Sequence, residues 1–154
     1  MEMAERYTPR PSGLPDPDYH AEFYTDVPSK RLMAWVIDTV LIAAVVFLIS
    51  LTGFLLPLLI FPVLFALVAF LYRWWSIAAR SATPGMRFMA IELLDRDGRA
   101  FDGTTAFLHT AGYTVSVVTV PLQLISIIMM LTTPRRQGLT DIILGTAAVN
   151  RRAN

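Results

Sequence analysis

One nearly unbroken apolar run, residues 32–72, does most to limit how this chain can fold. A membrane-spanning helix needs about 20 predominantly apolar residues, so this run is too long for a single span. The sequence SLTG at residues 50–53 is the natural break, and so short a connection predicts an antiparallel pair of helices. Pro57 and Pro62 fall in the second helix and predict a kink, which neighbouring helices can accommodate in a membrane.

The composition agrees with a membrane protein of one domain. The chain has 154 residues, of which 55% are hydrophobic and only 16% are charged, unlike an ordinary soluble domain. Residues 1–29 are predicted to form a polar, proline-rich cytoplasmic arm, followed by a membrane domain at residues 30–154. Tyr19, Phe23 and Tyr24 are candidates for anchoring this arm, either at the membrane interface or against the protein.

A third apolar stretch, residues 104–133, contains no formal charge and has Pro121 near its middle. The basic residues lie before the first helix, within residues 73–99 and after Pro134, which places the amino terminus and the central segment in the cytoplasm. A single crossing by the third stretch would leave the last basic group outside. A re-entrant turn near Pro121 would return the tail to the cytoplasm, and the charge distribution favours this alternative.

A β-hairpin is predicted between the second and third apolar stretches. The sequence FMAIELL-DRDG-RAF indicates two short strands, with Asp97 and Gly98 in the turn. Gly145 would let TAAV pair beside AIEL as another strand. The predicted fold class is therefore an all-α integral membrane protein. It comprises a two-helix transmembrane hairpin, a third transmembrane or re-entrant apolar segment, and a small cytoplasmic β-hairpin element.

Asp38 is the single formal charge within the first apolar run. A charge at this depth costs about 2.5–3.5 kcal/mol on insertion scales, so it should face protein or water and have a partner. On a helix Arg31, Ala34, Trp35 and Asp38 share one face, with Arg31 about 10 Å along the axis from Asp38. Arg31, Arg87 and polar groups of the third stretch are the candidate partners. The small Ala34 would allow another segment to approach.

Several functional classes lack support in the sequence. The chain has no cysteine, and its two histidines are far apart, so no metal site and no cofactor are predicted. No phosphate loop, nucleophile elbow or HExxH motif is present, so we expect no enzyme and no catalytic residues. Membrane topology already explains the arginines, which argues against a nucleic-acid partner. The expected partners are the lipid bilayer and either a larger membrane protein complex or further copies of the chain.

Three motifs, in order, resemble the RDD family of small bacterial membrane proteins. RLMAWVID matches the family's arginine and aspartate of the first helix with Arg31 and Asp38. TPGMRFMAIELLDRDGR resembles the family's central segment and contains Arg87, and RRQGLTDIILGTAAV resembles the closing motif with Asp141 as its aspartate. The likeness covers residues 30–149 and implies a multi-pass protein of the bacterial inner membrane.

The candidate site residues follow from these motifs. The predicted buried polar network, which could also bind an ion, consists of Arg31, Asp38, Arg87 and Asp141. His109, Thr140 and Gly145 are predicted to support it. His109 stands where the family usually has a basic residue, and Thr140 stands where it often has histidine, so proton or ion handling at these positions is in question.

The polar network admits three interpretations. It could be structural, because a buried ion pair fixes which segments pack together and removing one partner is severe. It could bind a proton or cation midway across the membrane for transport, which would require an oligomer and which the family suggests through cation/proton antiport in some members. The chain could also be an accessory subunit of a larger complex. We expect a structural or accessory component of a membrane assembly, with cation/proton transport as the alternative and Asp38 then the ion-binding carboxylate.

Overall fold

The computed structural model describes residues 12–53 and 60–151 of a mostly helical protein. The helices and strands, in chain order, are α1 (Val27–Thr52), α2 (Phe61–Arg80), α3 (Pro84–Phe88), β1 (Ile91–Leu94), α4 (Gly103–Val118), α5 (Val120–Thr132), α6 (Leu139–Leu144) and β2 (Ala147–Asn150). A short 3-10 turn, Ala21–Phe23, precedes α1.

Helices α1 and α2 form the predicted pair, and each is long and apolar enough to cross a membrane. Helix α1 ends at Thr52, within the predicted break. The predicted kink at Pro62 is wrong, because Pro62 lies in the first turn of α2, where a missing N–H breaks no helical hydrogen bond. Pro57 lies outside the described residues.

Helix α1 buries a narrow stripe and exposes apolar side chains elsewhere, as expected for a helix in lipid. The buried positions recur every fourth residue at Ala34, Asp38, Ile42, Val46 and Ser50. Trp35 is 45% exposed and lies at the edge of the stripe, but it lines the same cavity as Arg31, Ala34 and Asp38, which confirms their predicted common face. The 3.6-residue repeat of the helix carries position 35 to the side of the stripe.

The third apolar stretch is bent by 115° between α4 and α5. Pro121 lies in the first turn of α5, next to the bend, as the sequence predicted. Helix α6 packs against both α4 and α5, and β2 then pairs with β1, which directly follows α2 and α3. The chain therefore enters and leaves the bent pair at the same end of the α1–α2 hairpin.

The two-stranded sheet differs from the predicted hairpin. Strand β1 pairs antiparallel with β2, so Ile91 faces Asn150 and Leu94 faces Ala147. This confirms the predicted pairing of TAAV with AIEL. The predicted second hairpin strand is wrong, since its only pairing in the described residues is an isolated bridge between Leu94 and Ala100.

Local hydrogen bonds explain why the hairpin stops after one bridge. The Asp95 carboxylate accepts hydrogen bonds from the backbone N–H groups of Asp97 and Arg99, which closes a tight loop. The N–H of Phe101 then donates to the Ser81 side chain instead of to a strand, and Asp102 caps α4. The chain thus turns from β1 into α4 without room for a second strand.

The described part of the amino-terminal arm packs against the sheet. Leu14 and Tyr24 are buried together with Ala147 and Val149 of β2, and the Tyr24 hydroxyl donates to the Pro15 carbonyl at 2.7 Å. Tyr19, in contrast, is 83% exposed. Of the two anchoring alternatives, Tyr24 therefore contacts the protein. The division into residues 1–29 and 30–154 stays a prediction, although α1 already begins at Val27.

Candidate functional site

Asp38 lies in the buried stripe of α1 and is 1% exposed. Its Oδ1 accepts hydrogen bonds from the Tyr72 hydroxyl and the Gly85 N–H, each at 2.8 Å, and its Oδ2 accepts one from the Thr83 hydroxyl at 2.5 Å. The Arg73 guanidinium lies 3.9 Å from Oδ2. Asp38 thus joins α1 to α2 and to the start of α3, as a carboxylate surrounded by donors.

The TPG sequence is the segment that docks on α1 at this carboxylate. Thr83 caps α3 by accepting from the Met86 N–H while its hydroxyl donates to Asp38. Gly85 allows the close approach, because a Cβ there would lie 2.3 Å from the Ala34 carbonyl oxygen. The expectation that small Ala34 lets another segment approach is therefore confirmed, and that segment is α3.

Gly85→Ala is expected to destabilise the protein by about 1–3 kcal/mol or more, because the added methyl would force α3 off α1. The matched control is Gly103→Ala at the start of α4, where an added Cβ meets nothing within 4 Å. Unfolding by sodium dodecyl sulfate in mixed micelles, monitored by tryptophan fluorescence, measures the stability of the two variants. Equal midpoints for the two variants would contradict the close docking of α3.

Asp141 is fully buried in the first turn of α6 and forms a second network. Its Oδ1 accepts from His109 Nε2 at 2.9 Å and from the Thr146 hydroxyl at 3.2 Å. Its Oδ2 accepts from Arg31 Nη1 at 2.5 Å and from the Gly138 N–H at 2.9 Å. This carboxylate therefore joins the start of α1, the second turn of α4 and the carboxyl-terminal segment.

The charge state of Asp141 follows from these contacts. Burial raises the pKa of Asp141, but the Arg31 charge and the hydrogen bonds from His109 and Gly138 outweigh burial and hold that pKa well below its usual range. An ionised carboxylate only accepts hydrogen bonds, so His109 carries a proton on Nε2. The network is thus an anion, a guanidinium and an imidazole N–H held in one buried cluster.

The structure divides the predicted network of four residues. Arg31 pairs with Asp141 rather than with Asp38. Arg87 is exposed and pairs with neither carboxylate, so its predicted place in the network is wrong. The reason is helical geometry: Gly85 faces α1, and two residues at about 100° each turn Arg87 to the opposite side of α3.

The predicted supporting residues also differ in their surroundings. His109 is part of the Asp141 network. Thr140 packs against α4 instead, since a Cβ built at Gly112 would lie 2.7 Å from Thr140 Cγ2. Gly145 ends α6 with a φ of +71°, a conformation that favours glycine, and so turns the chain into β2.

The comparisons with known proteins agree with the motifs. A model of the RDD family matches residues 26–145, which include both carboxylates and all of their described partners except Thr146. The chain belongs to the RDD family. The predicted resemblance is thereby confirmed, and together with the apolar α1 and α2 it indicates a membrane protein. No curated protein and no solved structure matched this RDD chain.

Sequence reasoning missed all four described partners of Asp38, which are Tyr72, Arg73, Thr83 and Gly85. An estimate of how far each residue lies along its helix could have identified Tyr72 and Arg73 in this RDD protein. At 1.5 Å per residue, Asp38 lies about 21 Å from the end of α1, and Tyr72 lies about 17 Å from the start of α2, so both reach a similar level in an antiparallel pair.

A cavity of about 60 Å³ separates the two networks of this RDD protein. Its lining includes Arg31, Asp38, Arg73, His109 and Thr110. His109 Nδ1 and Thr110 Oγ1 are buried without a hydrogen-bond partner among the described residues. Within residues 12–53 and 60–151, no group of three or more histidine, cysteine, aspartate or glutamate side chains could hold a metal ion.

Proposed function

We propose that this RDD protein is a structural or accessory component of a bacterial inner-membrane assembly, without enzymatic activity. The observation that supports a structural role is that both oxygens of Asp38 and both oxygens of Asp141 accept hydrogen bonds from the protein. In each network at least two donors come from segments distant in sequence: Tyr72 and Thr83 for Asp38, and Arg31 and His109 for Asp141. The carboxylates therefore act as fixed joints between segments.

The arrangement of donors disfavours Asp38 as a cation ligand. A hard cation such as Ca²⁺ takes six to eight oxygen ligands, and Mg²⁺ takes about six. Around Asp38 the neighbours point N–H and O–H groups toward the carboxylate, and Arg73 adds a positive charge within 3.9 Å. A cation would have to displace these donors and approach a guanidinium, which costs both hydrogen bonds and Coulomb energy.

The proposed topology has the amino terminus, the sheet and the carboxyl terminus in the cytoplasm. The chain enters and leaves the α4–α5 pair at the same end of the α1–α2 hairpin. This arrangement supports a re-entrant α4–α5 pair. Such a turn is stable at membrane depth when protein buries its irregular backbone. The basic residues then lie on one side, in agreement with the positive-inside rule.

The outward faces of the helices supply surface for an assembly. Val63 on α2, and Val118 and Val120 at the α4–α5 bend, are 69%, 78% and 64% exposed. In the proposed topology this bend and α2 face lipid or a neighbouring protein. Because the exposed side chains on these faces are apolar, the faces are suited to packing against a larger membrane protein.

Cation/proton transport is the second candidate, and the cavity beside Asp38 is the observation that favours it. In this alternative Asp38 would exchange a proton or cation with the cavity, and several copies would be required to build a complete path.

Native mass analysis after mild-detergent extraction from native membranes tests the proposal. A photo-reactive amino acid at exposed Val63 should crosslink one partner protein stoichiometrically, whereas the same group at buried Val46 should not. A homo-oligomer without a partner, combined with ion flux in liposomes that Asp38→Asn abolishes, would favour transport and reject the accessory role.

A further inference from the structure

We infer that the cavity between the Asp38 and Asp141 networks binds a small inorganic anion. Anion binding would be a further function, in addition to the structural role proposed for the two carboxylates. The proposed site rests on three polar side chains that line the cavity, Arg73, His109 and Thr110, and on the hydrogen-bonding groups that they leave unused.

Arg73 is the first of these groups. Its side chain is only 13% exposed, and its guanidinium stacks over the Tyr113 ring with 4.6 Å between Cζ and the ring centroid. Its nearest carboxylate oxygen, on Asp38, is 3.9 Å away, and it forms no hydrogen bond with any described residue. Arginine carries five N–H donors, and burying them without acceptors is costly. Arg73 therefore presents unused donors to the cavity.

Thr110 and His109 are the other two groups, and both are more than nine-tenths buried. A threonine within a helix commonly donates to a carbonyl of the preceding turn, but Thr110 Oγ1 has no partner among the described residues. His109 uses Nε2 for Asp141, which leaves Nδ1 without a partner in the same part of the chain. Buried polar atoms are nearly always hydrogen-bonded, so these two atoms indicate an occupant.

The unused hydrogen-bond donors around the cavity favour an anion as this occupant. Arg31 is paired with Asp141, whereas Arg73 has no acceptor within hydrogen-bond distance in the described part of the chain, and the oxygens of Asp38 already accept three hydrogen bonds. An anion can accept from Arg73 and from the Thr110 hydroxyl. A co-bound water can donate to His109 Nδ1 when the ring is neutral. A cation would find no free carboxylate oxygen.

The size of the cavity limits the anion. A cavity needs a volume of about 10–15 Å³ to hold one water, so this cavity of about 60 Å³ accommodates roughly four water-sized groups. A halide with water, or a small oxyanion such as phosphate, fits this space, whereas a nucleotide does not. The same compact anionic group could come from free solution or from a lipid headgroup, and the experiment separates these sources.

Thermal unfolding of the purified chain in maltoside micelles tests the site. Sodium chloride and sodium phosphate are each compared with sodium gluconate at equal ionic strength, and tryptophan fluorescence is the signal because Trp35 lines the cavity. An anion that binds only the folded state raises the Tm with its concentration. We expect Arg73→Gln and Thr110→Val to abolish this rise. Arg80→Gln, an exposed arginine at the end of the same helix, should retain it.

Three outcomes would overturn the inference. The absence of any rise with chloride or phosphate would mean that water alone fills the cavity. A rise in Tm in Arg73→Gln and in Thr110→Val as large as that of the unsubstituted chain would mean a general salt effect. A rise with dihexanoyl phosphatidylglycerol, but not with the inorganic anions, would identify a lipid headgroup as the occupant. Thr110→Val preserves the side-chain shape, so the test holds even if Arg73→Gln does not fold. The result of this test does not depend on whether the protein has a partner in a membrane assembly.

Discussion

Asp38→Leu is expected to lower the free energy of unfolding by about 3–5 kcal/mol, the range for breaking a buried ionic network from one side. The change leaves the Tyr72 hydroxyl, the Thr83 hydroxyl and the Gly85 N–H without their acceptor. Each buried donor without an acceptor costs about 1–3 kcal/mol. Arg73 also loses its nearest negative charge.

Asp38→Asn is expected to have a smaller effect. The amide oxygen can still accept from Tyr72 and Gly85, and the amide nitrogen can donate to Thr83 once the hydroxyl rotates. The control is Thr39→Val, since Thr39 bonds only to the Trp35 carbonyl of its own helix. Unfolding midpoints in mixed micelles should decrease in the order Thr39→Val, Asp38→Asn, Asp38→Leu. Wild-type stability of Asp38→Leu would refute the structural role of this carboxylate.

The helical hairpin and its buried charge could be predicted because the signals are local and strong. The length of the apolar run requires two helices, and SLTG supplies the break. Asp38 stands out because a formal charge in such a run demands a partner. The bend at Pro121 and the pairing of TAAV with AIEL were likewise predictable from single residues, Pro121 and Gly145, whose backbone requirements are narrow.

The partners of the two aspartates could not be predicted in the same way. Arg87 and Thr83 lie in one short segment, and only the docked orientation of α3 decides that Thr83 faces Asp38 and Arg87 faces outward. Arg31 shares a helix with Asp38, yet α6 brings Asp141 to the level of Arg31. Charge pairing therefore depended on tertiary packing, for which the sequence offered several electrostatically equivalent choices.

Asp141→Ala is expected to destabilise the protein by about 3–5 kcal/mol, because it leaves the Arg31 guanidinium and the His109 N–H buried without their acceptor. Arg31→Gln should also destabilise, since it leaves the carboxylate without its cation. The variant with both substitutions should lose less free energy of unfolding than the sum of the two single losses, because each substitution removes the same Arg31–Asp141 contact. Strictly additive losses in the mixed-micelle unfolding assay would show that the Arg31–Asp141 pair contributes no coupling.

The pH dependence of stability provides an independent test of the same carboxylate. The folded-state pKa of Asp141 lies below the unfolded value of about 3.9, so its contribution is fully present above about pH 4. As the pH falls below that value toward the folded-state pKa, the unfolded chain binds the proton first and the contribution is progressively lost. Asp141→Asn should therefore flatten the acid limb of the stability profile. Exposed Asp97→Asn should leave this limb unchanged, because Asp97 lies on the surface of the turn after β1. An acid limb that keeps its slope in Asp141→Asn would mean that Arg31 and His109 do not hold an ionised carboxylate, and the second network would then not be ionic.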